Sequence, residues 1–139
     1  MARAKNYIAY LISAIAAAAL THAIRSTVIA DVVVPALPAV VLALLAINVQ
    51  TSAVIAVKLR ELANTQKGMF GASIAEVRFA LIEQAILVLF AFALNALVKA
   101  PSAPLSPHVI SVAAYVVLFA SLHIFIDTTI SLLDLLFPD

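Results

Sequence analysis

The residues of this chain best suited to chemistry lie in its last third. His123, Asp127, Ser131 and Asp134 recur at steps of four, four and three. Those steps put all four on one face of a helix. A histidine with a carboxylate one turn further on can hold a proton, because the anion favours the imidazolium form. Glu83 adds a carboxyl from a separate apolar run, where a lipid surround would penalise a charge. Glu83, His123 and Asp127 together make a candidate proton or cation site. A milder role is also open to the two aspartates: Arg78 can pair with Asp127, and Asp134 can rest among lipid headgroups. For Glu83 the available partners are His123, Arg78 and Gln84.

A second set of polar side chains is spread through the other apolar runs. His22, Asn48, Thr51 and Asn95 form a candidate polar pathway. Asn48 and Thr51 share a helical face and Gln50 points elsewhere, so their helix should touch protein on more than one side. Interhelical hydrogen bonding is the ordinary role of such groups, at about 0.6 kcal/mol on average. Arg25 can snorkel to the headgroups, with Asp31 as its ion-pair partner.

Several chemistries are set aside by what is missing. There is no cysteine, so disulfides, thiolate zinc sites and Cys-bound iron–sulfur clusters are excluded. His22 and His123 differ in expected depth by more than about 10 Å, too far for one haem iron. No His-Glu-x-x-His and no glycine-rich phosphate loop occur. Ser121 and His123 point about 200° apart on a helix, so they make no nucleophile–base pair. No enzymatic activity, cofactor or metal is expected. Nor is nucleic acid a partner, since no basic cluster with interleaved aromatics appears.

The elements that must carry these groups are four apolar stretches, from Tyr7 to Ala30, Leu37 to Val57, Phe79 to Val98 and Val109 to Phe137. A bilayer core about 30 Å thick takes about 20 helical residues. Of the 139 residues, 65% are hydrophobic and 11% charged, and mean hydropathy is +1.18. An average soluble domain has about 25% charged residues, too many more for this chain to be one. The first stretch follows Arg3 and Lys5 and holds small residues that could mark a signal cleavage site, but it outlasts a signal core and is expected to remain as a helix.

The expected fold is all-α: a single integral membrane four-helix bundle, antiparallel and up-down, over residues 1–139, with helices near 7–30, 37–63, 74–99 and 107–137. Arg3, Lys5, Lys58, Arg60, Lys67 and Arg78 fall on one side of that topology and Lys99 on the other. The positive-inside rule then puts both termini in the cytoplasm of a multi-pass cell-membrane protein. Tyr7, Tyr10 and Phe137 serve as interfacial anchors. The prolines of 31–38 predict an outer turn, since helices tend to stop before proline. Lys67-Gly68 reads as the stop of the second helix, Ser73 to Glu76 as a capping box starting the third, and Ser106-Pro107 as the N-cap of the fourth. Small residues four apart, Ala14/Ala18, Ser13/Ala17, Ala39/Ala43 and Ala96/Ala100, suit close helix packing.

On this topology Glu83 lies about 6 Å inside the cytoplasmic edge and His123 about 9 Å. Two functions compete. One is an oligomeric channel or proton- or cation-coupled transport protein with a cytoplasm-facing acidic site. The other is a non-catalytic membrane subunit, or an assembly or scaffold protein of a larger membrane complex. The expected partners are the lipid bilayer and either further copies of the chain or a partner membrane subunit.

Overall fold

The computed structural model describes residues 2–24, 28–66, 71–100 and 106–137. Among them are four α-helices: α1 (Ala2–Ala23), α2 (Val34–Gln66), α3 (Gly71–Lys99) and α4 (Pro107–Leu136). A π-helical turn, Ile29–Val33, leads directly into α2. Each of the four has a stretch long and apolar enough to cross a membrane, which is compatible with a small membrane protein. Arg25, Lys67, Gly68 and the prolines at 101 and 104 lie outside the described residues.

The outer surface is apolar, and a few polar side chains are buried beside an apolar core. Gln84 and Asn48 are 0% and 1% exposed, while Leu89 and Phe90 are 69% and 60% exposed. Large apolar side chains face outward on all four helices. Such a surface is favourable against acyl chains and costly against water, because the hydrophobic effect drives such groups out of water only. The interior is built from Val34, Leu37 and Val41 of α2, Leu87, Val88, Ala91 and Leu94 of α3, and Ala114, Val117, Ala120 and Ile124 of α4. Helix α2 packs on both α3 and α4, which also touch each other, and α1 lies against α4. Of the small-residue pairs, Ala14/Ala18 is buried within the bundle, whereas Ala39 and Ala43 are exposed.

The segment 31–38 is helical, not a turn. Pro35 lies in the first turn of α2, whereas Pro38 lies inside the helix, where it has no N–H to give the carbonyl of Val34. Ahead of them the backbone widens: the N–H of Val34 bonds to the carbonyl of Ile29, five residues back. The wide turn removes the need for a donor at Pro35 and eases its ring past the carbonyl of Asp31. The start of α3 also differs from expectation. Helix begins at Gly71, so Ser73 has helical backbone and cannot adopt the extended geometry an N-cap requires. The start of α4 is as read: Ser106 is extended, accepts from Val109 N at 3.4 Å and precedes Pro107.

Candidate functional site

Helix α4 presents His123, Asp127, Ser131 and Asp134 to a single cavity of about 550 Å³. The i, i+4 geometry that predicted one face is what delivers them there together. Helix α3 lines the same cavity with Ser73, Glu76, Val77, Ala80 and Glu83, a stripe with steps of three and four. Helix α1 adds Asn6, Tyr7 and Tyr10, and α2 adds Ile55 and Leu59. Glu83 and His123, separated by forty positions in sequence, therefore share one chamber. Four carboxyl groups line it, from Glu76, Glu83, Asp127 and Asp134, and no lysine or arginine does among the described residues.

The partner of Glu83 is neither His123, Arg78 nor Gln84. The hydroxyl of Tyr7 donates to Glu83 Oε1. The Asn6 amide lies 3.4 Å from His123 Nε2. The Tyr10 ring lies against the His123 imidazole with centroids 5.4 Å apart, and Tyr7 meets Tyr10 edge-on at 5.6 Å. The two tyrosines, expected as interfacial anchors, thus line the cavity together with Asn6. The signal that could have found them is their spacing: 6, 7 and 10 share one helical face, at the end of α1 where a companion for the α4 stripe was needed.

No ion pair joins Arg78 to Asp127. Among the described residues the salt bridge present is Lys58–Glu61, at 2.9 Å on the exposed face of α2. Arg78 follows Val77 by one residue, about 100° around the helix, and so falls off the stripe that faces the cavity. The Arg25–Asp31 pair lies outside the described residues through Arg25; Asp31 itself is exposed on the π turn.

The polar pathway is only partly assembled. Asn48 is buried and its Nδ2 donates to Gln84 Oε1 at 2.5 Å, tying α2 to α3. Thr51 turns back on its own helix and donates to the Ile47 carbonyl at 3.1 Å. Asn95 is half-buried on α3 with no hydrogen-bond partner among the described residues. His22 is exposed at the other end of α1, where its ring meets His108 edge-on with centroids 4.3 Å apart. The hydroxyl of the adjacent Thr21 lies 2.8 Å from that of Tyr115. His22, Asn48, Thr51 and Asn95 are not among the residues that line the acidic cavity. Among the described residues no group of three or more His, Cys, Asp or Glu is placed to hold a metal ion.

A second concavity, about 840 Å³, opens between α1 and α3 over α4. Its walls are apolar, with Phe79, Ile82, Ile86 and Phe90 along α3, and Glu83 reaches its edge as well. Comparison of the chain with family models, with curated proteins and with solved structures gives no match.

Proposed function

We propose that this chain is a small polytopic membrane protein, not an enzyme, that takes up protons or small cations in the cavity of Glu83, His123 and Asp127. In this reading the bundle is antiparallel, both termini are cytoplasmic, and the cavity is the cytoplasmic vestibule of a transport pathway formed with further copies of the chain. The observation that carries the reading is the acid-lined chamber, which among the described residues has no lysine or arginine in its wall. Carboxylates held close together in a low-dielectric wall attract cations and raise their local concentration. Tyr7 holds one Glu83 oxygen in place while the other remains available. His123 beside Asp127 offers a second protonation site one helical turn away.

The test is flux. Purified protein in liposomes carrying a pH-sensitive dye should dissipate an imposed proton or cation gradient, and Glu83→Gln should remove most of that flux. His123→Ala should weaken it. A folded wild-type protein that conducts no faster than empty liposomes, across protons, sodium and potassium, refutes transport.

The apolar concavity favours a second reading, in which the chain is a non-catalytic subunit or scaffold. Phe79, Ile82 and Phe90 are each more than half exposed along its wall, and a neighbouring transmembrane helix could cover them. Crosslinking from Ile82 in native membranes, together with the absence of flux, would support that reading.

A further inference from the structure

We infer that the middle of the bundle is a water-binding site, formed between α2, α3 and α4 by Asn48, Ser52, Gln84 and Ser121. Four side-chain atoms there have no hydrogen-bond partner among the described residues: Asn48 Oδ1, Ser52 Oγ, Gln84 Nε2 and Ser121 Oγ. The four residues are 1%, 3%, 0% and 0% exposed. Buried polar groups are rarely left unpaired, and inside a membrane there is no bulk solvent to rescue them.

The two serines are informative because a helix offers a hydroxyl an easy way out. It can bond the carbonyl one turn back. Thr21, Thr51, Ser111, Thr128, Thr129 and Ser131 all do so, at 2.7–3.1 Å. Ser52 and Ser121, more deeply buried than most of these, do not. Their hydroxyls stay free for something else in the core.

The helices that carry the four groups pack on one another, and two of the groups are bonded directly. Ser52 is one turn from Asn48 on the same face of α2, and Asn48 is bonded to Gln84. Gln84 follows Glu83 and Ser121 follows Ala120, and both Glu83 and Ala120 line the acidic cavity. On α3 and α4 a cavity-lining residue is thus the chain neighbour of a site residue, at the same level of the bundle but on another face. The cavity walls do not include the four residues themselves, so this site is distinct from the chamber of Glu83 and His123.

The set of unpaired atoms selects the ligand. It contains one obligate donor (Gln84 Nε2), one obligate acceptor (Asn48 Oδ1) and two hydroxyls that can serve as either. A water molecule gives and accepts, and it commonly bridges about three such groups. A bare monovalent cation would gain three oxygens but would face the hydrogens of the Gln84 amide. Reversing both amides leaves the balance unchanged, with Asn48 Nδ2 as donor and Gln84 Oε1 as acceptor. One or two waters here would carry hydration past Glu83 to the α2 side of Gln84.

Water-edited NMR on the wild-type protein in bilayers tests this without any substitution. The side-chain amides of Gln84 and Asn48 should show direct cross-peaks to water, while the backbone amides of Leu87 and Val88, in the same core, should not. Absence of the Gln84 cross-peak overturns the inference. A shift of those amides when sodium is exchanged for potassium or choline also overturns it, in favour of a cation. Ser121→Ala gives a second readout. It should lower the midpoint of thermal unfolding, because a bridged water loses a partner. An unchanged or higher midpoint, the result for a dry and unpaired hydroxyl, overturns the inference. None of these outcomes depends on whether the protein conducts ions.

Discussion

Replacing Asn48 by leucine should destabilise the bundle strongly, and replacing Asn48 and Gln84 together should cost less than the two single replacements added. The two amides are joined across α2 and α3 and are almost wholly buried. Asn48→Leu removes the donor to Gln84 Oε1, and Gln84 Nε2 already lacks a partner among the described residues. The lost interhelical bond is worth about 0.6 kcal/mol, at most about 1.7. The stranded glutamine amide adds about 1–3 kcal/mol. The single variant should therefore lose about 2–4 kcal/mol. Gln84→Met should behave similarly, because it strands Asn48. In the double variant no amide is left to strand, and apolar side chains of comparable size fill the space. Its loss should fall short of the sum of the singles by about 2 kcal/mol. Equilibrium unfolding in mixed detergent micelles measures this, followed by tyrosine fluorescence because the chain has no tryptophan. Two results would refute the reasoning. Single variants within about 0.5 kcal/mol of wild type would mean the pair is not buried as described. Effects that simply add would mean the two residues are not coupled.

Tyr7→Phe should cost about 1 kcal/mol, the value of a neutral hydrogen bond, because the Glu83 cavity is open enough to offer water in place of the lost hydroxyl. In the liposome assay it should slow flux less than Glu83→Gln does; identical flux in Tyr7→Phe and wild type would show that Tyr7 does not position the carboxyl. Ser106→Ala should cost near the lower end of the 0.5–2 kcal/mol range, about 0.5, given the 3.4 Å separation from Val109 N. Faster hydrogen exchange at Val109, with Phe119 and Ala120 unchanged, is the expected signature.

The stripe on α4 shows how far periodicity reaches. His123, Asp127, Ser131 and Asp134 share a face because of the helical repeat alone, and no neighbour is needed to say so. The N-cap at Ser106-Pro107 is equally local, since one side chain and one fixed φ decide it. The outer turn over 31–38 failed for a related reason. A proline reads locally as a stop, but the π turn at Ile29–Val33 supplies a wider helical path that no pattern of residue types announces. The capping box at Ser73 failed because its geometry requires a helix start, and α3 starts two residues earlier.

What the chain's sequence determined by itself was the class of structure. Apolar length and scarce charge require helices that satisfy their own backbone in lipid, whatever they pack against. The tertiary structure decided which polar groups meet. Glu83 finds Tyr7 and not Arg78, Asn48 finds Gln84 while Thr51 bonds its own helix, and Asn6 and Tyr10 close over His123. The reason is rotational. A residue's face on its own helix follows from its spacing, but the face of the neighbour it meets depends on how each helix is turned about its axis. That turn is set by the packing of Leu37, Leu87, Ala91, Ala114 and Val117, side chains that carry no chemistry of their own.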